Sequence, residues 1–257
     1  MARRGDRLGV EAVFRDHLIR AAASPQTHRD MPRPIPLTLF DLDHTLLDGD
    51  SDVLWCDFLI ERGVLDRASF GARNQAMERA YKAGSVGPLE FCEFYVSTLR
   101  GRTRAEWEPL RRDYFDTVIT PRIGAAAHEL VDRHRRAGDL VVLTTATNRL
   151  LTELTAAHLG IAHLIATECE LDADQRFTGR VSGTLNMREG KVSRLTDWLA
   201  RQGWAMNDCD STLYSDSIND LPLLSAVRRP VAVNPDLRLA EHAAEHGWPV
   251  LHLQPLL

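Results

Sequence analysis

The chain lacks the features that mark disulfide-stabilised, membrane-bound and nucleic-acid-binding proteins. Its 257 residues include four cysteines that stand apart in the sequence, so neither a zinc cluster nor a disulfide framework is expected. No apolar run approaches the roughly 18 residues that a membrane helix needs. The net charge is −5, and without a basic surplus we expect no nucleic-acid partner. We expect a cytoplasmic protein with no membrane contact, monomeric or homodimeric.

The first 34 residues lack the uncharged apolar core of a secretory signal. The stretch VEAVFRDHLIRAA is compatible with a short amphipathic helix, and SPQTHRDMPRP has the composition of a linker. We therefore expect residues 1–34 to form a flexible extension that is dispensable for the fold. Met31 lies just before the first predicted strand and is a second candidate for the natural start.

Strand and helix patterns alternate after residue 36. Apolar and β-branched runs predict strands at 37–40, 138–147, 211–216 and 228–234. Between them lie helix patterns that each end at a glycine, at 125–138, 148–160 and 191–203. This alternation predicts an α/β fold, a doubly wound parallel sheet with helices on both faces. In such sheets ligands bind beyond the carboxyl ends of the strands.

Residues 49–120 interrupt the alternation, because they show helix periodicity and little strand character. We interpret them as a four-helix cap domain inserted after the first strand. The core domain then consists of residues 35–48 and 121–257. Within the core, residues 166–188 predict a hairpin or an irregular strand pair.

Two aspartates, Asp41 and Asp43, directly follow the first strand in FDLDHT. Residues two apart in a strand share a face, so the two carboxylates are expected side by side. Like charges at this spacing repel by about 1 kcal/mol in water and by more when solvent is excluded. Either the pair lies in a solvated turn, which is common at strand ends, or a bound cation offsets the repulsion.

Further polar residues follow the other predicted strands or open a helix. Each has an ordinary explanation by itself, as a helix cap, a solvated charge or a turn. In this order and on this fold, they predict one site at the carboxyl edge of the sheet. The residues are Thr144 and Thr145, then Lys191, then Asp216, Asn219 and Asp220.

These residue types suit phosphoryl transfer. Asp41, Asp216 and Asp220 supply hard oxygen ligands for Mg²⁺, which would cancel the repulsion between the paired acids. Asp41 can then act as a nucleophile that forms an aspartyl-phosphate. Asp43 can protonate the leaving alcohol and then deprotonate water. Thr145 and Lys191 can hold the phosphoryl oxygens whose charge develops in the transition state. The predicted catalytic and ligand-binding residues are thus Asp41, Asp43, Thr145, Lys191, Asp216 and Asp220.

The segments FDLDHT, TTAT, GK before a helix and YSDSINDLPLL resemble the four motifs of the haloacid dehalogenase superfamily. The match is best with its phosphoserine-phosphatase-like branch, which carries an all-helical cap after the first motif, and it covers roughly residues 36–250. Two positions depart from the pattern, because His44 stands where Gly, Asn or Ser is common and YSDS replaces GDS.

The resemblance implies a role for each matched residue. It implies that Asp41 is the nucleophile and an Mg²⁺ ligand, and that Asp43 is the acid/base and offers its backbone carbonyl to the metal. It implies further that Asp216 is a direct metal ligand and that Asp220 supports the metal. Phosphate binding falls to Thr145, chosen over Thr144, and to Lys191 and Asn219.

The cap is expected to select the substrate, a small-molecule phosphomonoester. Phosphoserine phosphatases carry an acid seven residues after the second aspartate of the first motif, and here that residue is Asp50. Their cap arginine, which binds the substrate carboxylate, aligns with Tyr95. An acid without an arginine suits an amine that has no carboxylate, such as histidinol phosphate. Trp55 adds aromatic surface that can face a cation, although it suits the cap core equally well.

The pattern also resembles bacterial members of this branch that are assigned as histidinol-phosphatases. Three alternatives stay open. One is an L-phosphoserine phosphatase. Another is a phosphotransferase or mutase that uses the same aspartyl-phosphate. The last is a noncatalytic binding module, which would be expected to lose Asp41 or Asp43, and both are present.

Overall fold

The computed structural model describes residues 34–253, apart from the Lys82 side chain, so the expectations for residues 1–33 lie outside the described range. Within that range seven strands form one sheet in the order β4-β3-β2-β1-β5-β6-β7. All neighbouring pairs are parallel except β3 and β4. The strands are β1 (Ile35–Phe40), β2 (Leu140–Asn148), β3 (His163–Leu171), β4 (Phe177–Ser182), β5 (Cys209–Ser215), β6 (Arg229–Val233) and β7 (Val250–Leu251).

Helices cover both faces of this sheet, and the alternation of side chains along β1 shows why. Leu37 and Leu39 point into one apolar layer, whereas Phe40 points into the layer on the other face. The doubly wound α/β prediction is therefore confirmed. The helices that follow the insertion are α5 (Ala125–Ala137), α6 (Arg149–His158), α7 (Glu189–Arg201), α8 (Leu221–Ala226) and α9 (Leu237–His246).

The chain around the predicted hairpin differs from the expectation. β3 begins at His163 and first pairs parallel with β2, and its later part pairs antiparallel with β4. A parallel strand was not predicted here because its apolar run is short and follows directly on the glycine that ends the preceding helix. The predicted hairpin at 166–188 thus continues a strand of the main sheet.

Four helices and a π-helical turn form the insertion between β1 and α5, in agreement with the predicted helical cap. None of the helices in residues 34–253 is long and apolar enough to cross a membrane. The domain boundaries at 48/49 and 120/121 remain a prediction, because the described chain from Pro34 onward forms one compact unit. The elements are α1 (Ser51–Glu61), α2 (Arg67–Lys82), α3 (Pro88–Val96), α4 (Arg104–Tyr114) and the turn Phe115–Ile119.

Trp55 lies at the centre of an aromatic cluster inside the insertion. Its ring is fully buried and lies 5.0 Å from Tyr114 and 5.6 Å from Trp107, measured between ring centroids. Its indole N–H donates a 3.1 Å hydrogen bond to the Thr98 hydroxyl. The placement of Trp55 in the substrate site is therefore corrected, because its surroundings leave no free ring face for a ligand.

Replacing Trp55 tests this core role. We expect Trp55→Ala to lower the free energy of unfolding by about 3 to 5 kcal/mol, because it leaves a large cavity among packed aromatic rings. Trp55→Phe keeps most of the ring and should cost less. Chemical denaturation measures both. The Phe variant should retain the phosphatase activity that the family resemblance implies, and a large loss of that activity with intact stability would return Trp55 to the substrate site.

Candidate active site

The paired aspartates leave β1 through a buried turn. The N–H of Asp41 bonds the Tyr214 carbonyl at 2.9 Å, which extends the pairing of β1 with β5 by one residue. The backbone then turns tightly around the Leu42 carbonyl, which accepts from the N–H groups of Leu46 and Leu47 at 2.9 and 3.0 Å. His44 adopts a φ of 57°, a conformation that explains why small residues or Asn are common there. Asp41 is buried, so the solvated-turn explanation does not hold.

Lys191 lies between two carboxylates. Its Nζ is 2.6 Å from Asp41 Oδ1 and 2.6 Å from Asp220 Oδ2, and all three side chains are buried. Burial disfavours the Lys191 cation, but the charges of Asp220 and Asp41 outweigh it and raise the pKa of the amine. Burial also raises the pKa of Asp41 to about 7, opposed by Lys191. Asp220 is held in turn by the Ser215 hydroxyl at 2.7 Å.

The second oxygen of Asp41 faces Asp216 across one hydroxyl. Thr45 Oγ1 lies 3.4 Å from Asp41 Oδ2 and 3.3 Å from Asp216 Oδ1, and it has a single proton to donate. Among the described side chains no cation lies within 4.0 Å of Asp216, and its pKa is raised by burial and then by Asp41 and Asp220. These facing carboxylate oxygens fit Mg²⁺, which prefers carboxylates and water.

Asp43 is held by hydroxyls from the end of β2. Its Oδ2 accepts from Thr147 Oγ1 at 3.0 Å and lies 3.3 Å from Thr145 Oγ1. Thr144 points away from Asp43, and its Oγ1 accepts from Asn186 Nδ2 at 3.0 Å. The choice of Thr145 over Thr144 therefore agrees with the direction of the side chains. Thr145 is fully buried behind Asp43, and its contact with phosphate remains a prediction.

Thr147 was not predicted, and it connects the core to the inserted helices. Its hydroxyl accepts from Ser51 Oγ at 3.0 Å and lies 3.2 Å from Asp52 Oδ2 as well as near Asp43. Asp43 Oδ1 also accepts from the Ser51 N–H at 2.8 Å. Asp52 is buried, which raises its pKa well above the usual range. The signal was present in the sequence, because Thr145 and Thr147 share a strand face.

A cavity of about 450 Å³ opens between these residues and the insertion. All the predicted metal-binding and acid/base residues line this cavity, and so do Lys191, Asn219 and Asp50. Tyr95 does not line it. Its hydroxyl is buried without a hydrogen-bond partner among residues 34–253, and burial raises its pKa. Tyr95 is therefore corrected to a residue of the insertion's core.

Asp50 caps α1 and faces the cavity at the same time. Its Oδ1 accepts from the N–H groups of Asp52 and Val53 at 3.0 Å each. Burial and the nearby charge of Asp43 raise the pKa of Asp50 to about 7. A carboxylate in this position can bind a cationic group that enters the cavity, and Asp52 lies on the same wall.

Gly190 permits Lys191 to reach its position. A Cβ on Gly190 would lie 2.0 Å from the carbonyl oxygen of Leu185. No side chain fits in that space, so only glycine lets the first turn of α7 approach the preceding loop this closely. In the GK pair, the glycine is required for steric reasons and the lysine supplies the buried ammonium.

Comparison with known proteins agrees with this geometry. The haloacid dehalogenase-like hydrolase family matches residues 38–225. A histidinol-phosphatase of Neisseria meningitidis serogroup C (strain 8013) is 38% identical over 219 residues, which cover 85% of this chain and 99% of that protein. The phosphoserine phosphatase SerB1 of Mycobacterium tuberculosis (strain ATCC 25618 / H37Rv) is 34% identical over 234 residues, 86% of this chain and 73% of that protein.

A solved structure extends the similarity to the backbone. A protein with unknown function from Bordetella pertussis Tohama I superposes with a TM-score of 0.82 at 43% identity, covering 86% of this chain and 100% of that chain. The match of the family over residues 38–225 spans the buried acids, Lys191 and Asp216. The chain belongs to the haloacid dehalogenase-like hydrolase family and is a phosphatase of its phosphoserine-phosphatase-like branch.

Proposed function

We propose that the protein is an Mg²⁺-dependent phosphomonoester hydrolase that works through an aspartyl-phosphate on Asp41. The observation that carries this proposal is the setting of the Asp41 carboxylate. One oxygen contacts Lys191 at 2.6 Å, and the other faces Asp216 across the Thr45 hydroxyl. A carboxylate held in this way can present an oxygen to phosphorus, with Lys191 offsetting its charge on one side and a bound Mg²⁺ expected to offset it on the other.

The first half-reaction forms the intermediate. Asp41 attacks phosphorus, an O–P bond forms, and the bond from phosphorus to the ester oxygen breaks. Asp43 gives its proton to that oxygen, so the alcohol leaves neutral. The contacts of Asp43 with Ser51 and Thr147 fix its direction relative to the attacking oxygen, which is the positioning that such a transfer requires.

The second half-reaction releases phosphate. Asp43, now a carboxylate, takes a proton from water, and the water oxygen attacks phosphorus. The bond from Asp41 to phosphorus breaks, and free phosphate and the original carboxylate result. Lys191, which contacts Asp41 at 2.6 Å, can donate to a phosphoryl oxygen, and we assign phosphate contacts to Thr145 and Asn219 as well. A phosphotransferase would replace the water by a second alcohol.

The carboxylates of Asp41 and Asp216 and the backbone carbonyl of Asp43 would hold the Mg²⁺, with Asp220 supporting the site through Lys191. When bound, the ion supplies positive charge that offsets the carboxylates and the phosphoryl oxygens. The fit rests on the facing oxygens of Asp41 and Asp216, which have no cation between them in the described chain.

Histidinol phosphate is the proposed substrate, with L-phosphoserine as the alternative. Asp50 and Asp52 form an acidic wall of the cavity that suits the amine of the substrate. The histidinol-phosphatase relative matches over 99% of its own length, which supports the same choice. The expectation that the substrate site lacks an arginine is wrong, because Arg188 and Arg238 line the cavity. They keep the phosphoserine alternative open, since arginine can bind a carboxylate.

The nucleophile is tested by Asp41→Asn. We expect kcat to fall by roughly 10⁴-fold or more, because the amide cannot form the aspartyl-phosphate. Phosphate release measures the loss, and circular dichroism and Tm confirm the fold. The matched control is Asp48→Asn, an exposed acid of the same loop, which should behave like wild type. Substantial turnover by Asp41→Asn would exclude the mechanism.

The metal site is tested without turnover. Mg²⁺ should raise the Tm of the wild-type protein, because a ligand that binds the native state stabilises it. It should raise the Tm of Asp216→Asn much less, whereas Asp197→Asn, an exposed acid on α7, should respond like wild type. Chelation should abolish phosphate release and Mg²⁺ should restore it. Full activity in excess chelator would contradict a metal requirement.

Substrate choice is tested by comparing histidinol phosphate with L-phosphoserine. We expect the higher kcat/KM for histidinol phosphate. Asp50→Asn should lower that value by roughly tenfold or more, because it removes a charge that faces the amine, and should spare p-nitrophenyl phosphate. Asn also caps helices, and Asp66→Asn, at the exposed cap of α2, is the control. Faster turnover of L-phosphoserine by wild type would favour the alternative.

A further inference from the structure

Arg188 occupies a backbone position that favours glycine. Its φ and ψ are 52° and −126°, and the N–H of Gly190 bonds the Met187 carbonyl at 2.9 Å. These values correspond to the second residue of a type II′ turn, where glycine predominates because a Cβ is strained. An arginine here costs stability, and such strain persists only where the surrounding structure imposes it. The side chain of Arg188 therefore needs a reason beyond the turn.

That side chain lines the same cavity as Asp41. Its Nε is buried and has no hydrogen-bond partner in the described part of the chain. Among the described side chains no carboxylate lies within 4.0 Å of its guanidinium. A buried donor without an acceptor is unfavourable, so the arrangement suits an acceptor that comes from a ligand.

The charge of the cavity indicates what kind of ligand this is. Seven aspartates line the wall, against three cations, Lys191, Arg188 and Arg238. Lys191 already contacts Asp41 and Asp220, and Arg238 is exposed to solvent. Of these three cations, Arg188 is partly buried and forms no ion pair with a carboxylate among residues 34–253. A phosphate dianion entering among these acids needs such a charge, and guanidinium binds phosphate in a bidentate manner.

We propose that Arg188 binds the nonbridging oxygens of the substrate's phosphate group, next to Lys191. Both side chains line the cavity, Arg188 from the turn just before α7 and Lys191 from its first turn. The inference rests on the phosphatase activity of the proposed function and not on which ester is the substrate. It assigns to Arg188 a contact that all phosphomonoesters share.

Arg188→Gly separates this role from a structural one. Glycine relieves the turn, so Tm should stay equal or rise. The KM for p-nitrophenyl phosphate and the Kd for inorganic phosphate in the presence of Mg²⁺ should both rise by roughly 10- to 100-fold, as expected for the loss of a charged hydrogen bond. The matched control is Gln175→Gly, at a positive-φ residue on an exposed turn. It should change the Tm by a similar amount and leave the KM for p-nitrophenyl phosphate and the Kd for inorganic phosphate unchanged.

A second variant and a comparison of substrates decide which group Arg188 binds. Arg188→Lys keeps the charge without the planar fork, and should give an intermediate Kd for inorganic phosphate. If Arg188→Gly impairs only L-phosphoserine and not p-nitrophenyl phosphate, the residue binds a carboxylate and the inference is wrong. Unchanged constants for every ester would also overturn it. Calorimetry with inorganic phosphate needs no turnover, so it remains decisive even if histidinol phosphate proves not to be a substrate.

Discussion

The buried ammonium of Lys191 between Asp41 and Asp220 is the interaction around which the site is arranged. Burying one of these charges without the others would be costly, because removing a partner leaves an uncompensated charge away from water. The three residues come from different elements, at the end of β1, the start of α7 and the turn after β5. Strands β1 and β5 are neighbours in the sheet, and Gly190 lets the first turn of α7 approach the loop that precedes it.

The same need for charge balance explains how the insertion is joined to the core. Asp43 accepts from the Ser51 N–H, and Thr147 lies between Asp43 and Asp52. A residue at the end of β2 thus touches a carboxylate from the core and another from the first helix of the insertion. Because the acids are close to one another, each depends on shared hydroxyls and backbone N–H groups. The acidic wall of Asp50 and Asp52 is therefore positioned by these shared hydrogen bonds to the core, and no separate binding loop is needed.

Local periodicity predicted β1, β2, β5 and β6, whose carboxyl ends carry most of the residues that line the cavity, but it did not predict the parallel part of β3. Strand parity predicted that Thr145 and Thr144 point in opposite directions, and Thr145 does face Asp43 while Thr144 faces Asn186. It could not place Trp55, since a helix start beside a site and a helix start inside a core have the same local pattern. Arg188 was not predicted either. Nothing in the letters MREG reveals that Arg188 takes the glycine position of the turn, because a non-glycine residue rarely adopts a positive φ.

The departures from local rules are concentrated around the cavity. Among residues 34–253 four non-glycine residues have positive φ. His44 and Arg188 line the cavity, and the side-chain amide of Asn234 donates to the His44 carbonyl at 3.1 Å. Gln175 alone lies on an exposed turn. Folding by itself would favour glycine or asparagine at such positions. Retaining a bulky side chain there is understandable where the side chain acts on a ligand, because functional sites are where sequences depart from the locally stable choice.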